Sequence, residues 1–166
     1  MKLELIDILV NDGAASDFEG DIYLQDDELS KSGVSFAGPL HIKARAENIG
    51  LQVILSVSVS TRISTMCARC LKEIFKDVDF EFTERIASKG TDDKVDEEII
   101  FPVGSEVDID ELVLKNFITL SPVKYLCKED CKGICPKCGA DRNQTDCGCD
   151  SDVIDPRFDI LNDLFK

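Results

Sequence analysis

Eight cysteines occupy only two stretches of this 166-residue chain. Cys67 and Cys70 form one CxxC pair, while Cys127, Cys131, Cys135, Cys138, Cys147 and Cys149 fall within 23 residues toward the C-terminus. Thiolates are soft ligands, and a structural zinc ion takes about four of them in a tetrahedron. Eight thiols in short-spaced pairs therefore predict two structural zinc sites.

The spacing suggests how the thiols divide. Cys135-Pro-Lys-Cys138-Gly grips a metal with two sulfurs while turning backbone amides toward them, and Cys147-Gly-Cys149 supplies a second pair nearby. Glycine between two ligands relieves backbone crowding in a tight CxC chelate. Cys67, Cys70, Cys127 and Cys131 remain for a long-range second site. In the alternative partition, Cys67 and Cys70 stay a free dithiol and the six later cysteines share one or two metals. A CxxC can also be a redox pair, but such motifs open a helix beside a βαβ pattern, and here both flanks alternate as strands. Catalytic zinc keeps an open position and often a histidine ligand. The one histidine, His41, is remote in sequence from every cysteine and receives no role. No phosphate-binding glycine loop, dinucleotide fingerprint or nucleophile elbow is present, so the chain reads as no enzyme with no small-molecule substrate.

The elements that must position these thiols are mostly strands. Alternation begins at Leu3 and Leu5 and reads as a first strand to about residue 8. Residues 11 to 35, punctuated by Gly13, Gly20 and Gly33, read as irregular. A strand follows from Pro39 to Asn48. The clearest period-two segment sets Leu51, Val53, Leu55, Val57 and Val59 against Gln52, Ser56, Ser58 and Ser60. Alternation resumes at Ile74, Val78, Phe80 and Phe82, which predicts an antiparallel hairpin carrying Cys67 and Cys70 at its tip. Residues 88 to 98 read as a polar linker. Asp108, with Glu111 three positions on, starts a helix that ends before Pro122. Asp155-Pro156 starts a last helix with Phe158, Leu161, Leu164 and Phe165 on one face. The expected architecture is α+β: residues 1–121 form a mostly antiparallel β domain with a helix near 109–120. Residues 122–166 form a cysteine-rich zinc module with a C-terminal helix, docked on the first part.

The net charge of −14 argues against a protein that binds nucleic acid over its whole surface, and suits a basic partner. No stretch approaches the roughly 18 apolar residues of a membrane span. MKLELIDILV lacks the uncharged core of an export signal, which favours a reducing, cytoplasmic setting where disulfides are rare. The charge is unevenly spread: residues 61–76 carry a balance of +3, residues 124–142 one of +2, and the remainder −19. Metal binding that joins the two cysteine stretches would gather Arg69, Lys72, Lys128 and Lys132 into a basic face for RNA or a partner. Equally, these cations offset the charge of zinc tetrathiolates.

The alternating strand, Cys67-x-Arg69-Cys70-Leu71, an acidic loop, a helix and a cysteine tail together resemble the bacterial YceD family, the large ribosomal RNA subunit accumulation proteins. The tail that carries the resemblance is Leu126-Cys127-x-x-Asp130-Cys131-x-Gly133-x-Cys135-Pro136-x-Cys138-Gly139, then Cys147-x-Cys149 and Asp155-Pro156-Arg157. The likeness runs from about residue 36 to the end. It implies a cytoplasmic, non-enzymatic factor that promotes 23S rRNA accumulation during large-subunit assembly. The implied partners are 23S rRNA or its precursor, a basic large-subunit ribosomal protein, or both. It also implies that the matching cysteines are zinc ligands. Two other readings compete: a zinc-ribbon module for protein interaction or transcription, and a thiol redox sensor that releases zinc.

Overall fold

The computed structural model describes residues 1–24, 27–50, 52–87, 99–100 and 106–149. The elements run β1 (Lys2–Glu4), α1 (Ile6–Val10), β2 (Ala15–Ile22), α2 (Asp27–Lys31), β3 (Val34–Phe36), β4 (Leu40–Asn48) and β5 (Gln52–Met66). They continue with β6 (Glu73–Ala87), β7 (Ile99–Ile100), β8 (Glu106–Asp108) and α3 (Ile109–Leu120). The fold is α+β and mostly antiparallel. The expected linker at 88–98 and the expected helix after Asp155 lie outside the described residues.

Contacts divide the chain into two units. One comprises Met1–Met66 with Glu73–Tyr125, and the other Cys67–Lys72 with Leu126–Lys166.

The first unit is built on a six-stranded sheet in the order β2-β4-β5-β6-β7, with β3 on the same flank of β5 as β4. β5 and β6 form the expected hairpin, in register from Gln52↔Ala87 to Met66↔Glu73. Among the described residues all strand pairings are antiparallel except β6 with β7. β5 runs well beyond the apolar run visible in the sequence because its inward positions continue as Thr61, Ile63 and Thr65. Threonine suits a strand sterically, and each buried hydroxyl finds a carbonyl: Thr61 donates to Pro39 O at 3.2 Å and Thr65 to Gly33 O at 2.9 Å.

One face of this sheet is apolar and covered. Leu40, Ile42, Val53, Leu55, Val57 and Val59 pack against Leu3, Leu5, Ile8, Val107, Ile109 and Val113 from α3, α1 and the β1–β8 ribbon. A second cluster centres on Phe117 of α3, whose ring lies 5.0 Å from Phe36 and 5.7 Å from Phe80. Apolar burial of this kind is the main favourable term in folding. The α3 start is capped as expected in position, by Asp108 Oδ1 accepting from the Asp110 amide at 3.0 Å.

Two sequence expectations are corrected. The N-terminal strand stops at Glu4, and residues 6–10 form a helical turn. An extended chain would carry Asp7 to the same face as Leu3 and Leu5; the helix buries Leu5 and Ile8 and leaves Asp7 in water. Residues 11–35 are not irregular, since β2, α2 and β3 lie there. β2 hides from pattern reading because its inward positions include Ser16 and Gly20. Its acids instead find polar partners directly across on β4: Asp17 the Arg45 guanidinium at 3.0 Å, Glu19 the Lys43 ammonium at 3.3 Å, and Asp21 the His41 imidazole at 2.5 Å. Asn48, buried at the end of β4, closes this corner by donating to Ile8 O at 2.6 Å and accepting from the Gly50 amide at 2.9 Å.

Candidate metal centres

The second unit is organised by two chain reversals of the same design. In the first, the Cys67 amide donates to Lys72 O at 2.8 Å and the Leu71 amide to Cys67 O at 2.9 Å. In the second, the Cys135 amide donates to Ala140 O at 2.8 Å and the Gly139 amide to Cys135 O at 2.9 Å. The residue after the second cysteine is left-handed in both, Leu71 at φ 58° and Gly139 at φ 73°. Each turn thus presents two sulfurs on one side with backbone amides aimed at them.

The thiols meet in two sets. Within Cys67, Cys70, Cys127 and Cys131, and within Cys135, Cys138, Cys147 and Cys149, all Sγ atoms lie within 4.8 Å of one another. Cys67 Sγ is 3.8 Å from Cys131 Sγ, and Cys70 Sγ is 3.7 Å from Cys127 Sγ. A disulfide requires about 2.05 Å. A tetrahedron with metal–sulfur bonds of about 2.3 Å has edges of about 3.8 Å. The distances fit a four-sulfur cage, and all eight thiols are free. The two sets could each hold a metal ion with no coordination position left over.

The electrostatics of the sulfurs point the same way. Burial opposes the thiolate at Cys67, yet the amides of Cys127, Cys70 and Arg69 outweigh it and bring the thiol down to about 6. At Cys127, burial and the neighbouring cysteine sulfurs push the thiol up to about 12. In the other set, the amides of Cys138 and Lys137 lower Cys135 to about 6, while hydrogen bonding with Cys138 and Cys147 raises Cys149 to about 12. The first negative charges form easily and the last are held back by those already present. A bound dication removes that opposition.

Exposure separates the sets. Cys67, Cys70 and Cys131 are 0%, 6% and 2% exposed, whereas Cys138 of the second set lies at the surface.

Polar contacts lock the first turn onto the later cysteines. The Arg69 guanidinium donates to Glu129 O at 3.1 Å and to Cys131 O at 2.8 Å, and Arg69 O accepts from the Ile134 amide at 3.1 Å. Lys72 Nζ lies 2.7 Å from Asp141 Oδ2, and the ammonium holds the Asp141 carboxyl down at about 2. Arg69 and Lys72, two of the four predicted contact cations, are therefore turned into the unit. Lys128 is exposed, with Asp130 at 3.6 Å. Lys132 is exposed too, and its side chain has no ionic partner among the described residues.

Sequence reading missed Asn143. Its amide nitrogen donates to Cys131 Sγ at 3.4 Å and to Asp141 Oδ1 at 2.7 Å, and its oxygen accepts from the Lys132 amide at 2.8 Å. Groups that hydrogen-bond a ligand sulfur orient it and tune its charge. The available signal was the Asp141-Arg142-Asn143 turn, in which Asp141 Oδ1 accepts from the Asn143 amide at 2.9 Å.

An uncharacterized protein of Mycobacterium tuberculosis is 28% identical over 128 residues, covering 75% of this chain and 61% of its own length. A Mycobacterium bovis protein, likewise uncharacterized, matches to the same extent. This chain thus covers less than two thirds of the length of the mycobacterial relatives. YlbN, an uncharacterized protein of Bacillus subtilis, is 26% identical over 152 residues, 90% of this chain and 88% of its own. No solved structure matches significantly. Residues 55–165 match the family described as "Large ribosomal RNA subunit accumulation protein YceD", a span that holds both cysteine sets. This chain belongs to the YceD family.

Proposed function

We propose that this protein is a non-enzymatic biogenesis factor of the large ribosomal subunit that promotes accumulation of 23S rRNA. The observation that carries the reading is the family match over residues 55–165, which includes every cysteine of both thiol sets. Two four-sulfur sets with no spare position support zinc in a structural role, since catalytic zinc retains an open site. Zinc would hold the Cys67–Lys72 turn against the later cysteines, a constraint that couples metal binding to folding of this unit.

The partners in this reading are 23S rRNA or its precursor, a basic large-subunit protein, or both, and the setting is the cytoplasm. No helix among the described residues is long and apolar enough to cross a membrane. Lys128 and Lys132 are the cations best placed for phosphate, because Arg69 and Lys72 are engaged in internal contacts.

Depletion tests the proposal. Loss of the protein should lower mature 23S relative to 16S rRNA, with recovery when the intact chain is restored. An unchanged ratio would remove the ribosomal reading and favour a zinc-stabilised protein-interaction module.

A further inference from the structure

We propose that the outer edge of β6 is a docking site for an extended, basic segment of another protein, which adds to the sheet as one more strand. β6 pairs with β5 along its whole length, but on its other side β7 meets only Arg85 and Ile86. Among the described residues no strand and no loop backbone bonds to the outer side of Glu73–Glu84. Alternate residues there turn N–H and C=O groups outward, the template on which strands are added.

Proteins blunt such edges with proline, bulges or charged side chains, inward-pointing ones included. Residues 73–84 contain no proline or glycine, and the β5–β6 register runs unbroken. Of these devices the segment keeps only charges: Lys76 on the side of Val78 and Phe80, and on the exposed row acids, which repel an acidic strand and admit a basic one.

The charges specify the occupant. Glu73, Asp77, Asp79 and Glu81 all point to the exposed face of the sheet. Their partners across on β5 are Met66, Arg62, Ser60 and Ser58, so three of the four acids face no cation there. Elsewhere on this face two acids of β2, Asp17 and Glu19, each face a cation of β4, Arg45 and Lys43. The same ladder on the open side of β6 requires a strand with Lys or Arg at alternate positions. The other parity, Ile74, Val78 and Phe80, is half-buried and suits apolar residues between the basic ones. RNA and a second copy of this edge would both bring negative charge against negative charge. The inference stands on the edge and its charges; only the source of the segment, a basic large-subunit protein, rests on the proposed function.

The test uses the intact, metal-loaded chain and a fluorescent 12-residue peptide of alternating Lys and Val, with an identical peptide N-methylated at alternate amides. The first peptide should bind and slow amide exchange within residues 73–84. The N-methylated peptide, and the D77N/D79N/E81Q variant with the unmodified peptide, should each bind at least tenfold more weakly. The variant's melting temperature and zinc content should be unchanged. Equal binding of the two peptides would mean charge attraction without strand addition. Protection elsewhere, no binding, or self-association through β6 would equally overturn the proposal. None of these failures would alter the depletion result, so the two readings fall separately.

Discussion

Leu71 occupies in the first cysteine turn the place that Gly139 occupies in the second, with the same 2.9 Å hydrogen bond back to the leading cysteine carbonyl and the same left-handed backbone. That conformation costs an L-residue about 1–2 kcal/mol, while glycine costs about 0.5–1 kcal/mol in chain entropy. The Leu71 side chain is 56% exposed and returns little by burial. Leu71→Gly should therefore leave stability unchanged or raise it by up to about 1 kcal/mol, whereas Leu71→Val, branched at Cβ, should lower it. Denaturant midpoints of the zinc-loaded variants decide this. A clear loss with glycine would mean that Leu71 is held by contacts.

Gly133 and Gly139 share a φ of 73° but not their surroundings. A Cβ on Gly139 would meet nothing within 4 Å, and one on Gly133 would lie 2.9 Å from Arg69 O. The carbonyl in the way accepts the Ile134 amide, so it cannot retreat without breaking that bond. Gly139→Ala should cost about 1 kcal/mol, the conformational term alone. Gly133→Ala should cost about 2–3 kcal/mol as backbone strain is added, and should weaken zinc retention by the Cys67 set. Equal losses for the two variants would show that the approach to Arg69 does not matter.

Two zinc equivalents per chain are expected, with unequal lability. The Cys67 set is mostly buried, and Cys138 gives solvent and chelator a route to the other. Release to a chromogenic chelator should be biphasic. A C135S/C138S variant should retain one equivalent and lose the fast phase, and loss of the slow phase instead would reverse the assignment. A single equivalent in the intact protein would end the two-site reading.

The parts of the fold legible in sequence are those where one face is uniformly apolar. Val53, Leu55, Val57 and Val59 fill the inward row, with Ile54 the one apolar residue between them on the other, and the hairpin to Phe80 and Phe82 follows. β2 was invisible because its inward row interrupts Phe18 and Ile22 with Ser16 and Gly20, and the partners of its acids lie on another strand, features that a single strand does not display. The cysteine division was legible because ligand chemistry demands groups of about four. The fates of Arg69 and Lys72 were not. Whether a cation faces solvent or a carbonyl depends on the path of residues 129–141, and no local pattern encodes it.

That difference separates two kinds of basic residue in the proposed RNA contact. Lys128 and Lys132 are exposed, and neutralising them removes phosphate partners without touching the packing of the unit. The K128Q/K132Q variant should keep its zinc and its melting temperature. Its affinity for single-stranded 23S precursor RNA should fall, and the slope of log affinity against log salt should flatten by about 0.7 for each phosphate left unneutralised. Arg69→Gln removes donors to Glu129 O and Cys131 O, so it should weaken zinc retention first and RNA binding only as a consequence. Restoring zinc in excess should rescue RNA binding by the Arg69 variant and leave the lysine variant impaired. An unchanged salt slope in K128Q/K132Q would rule these lysines out as phosphate ligands and shift attention to a protein partner.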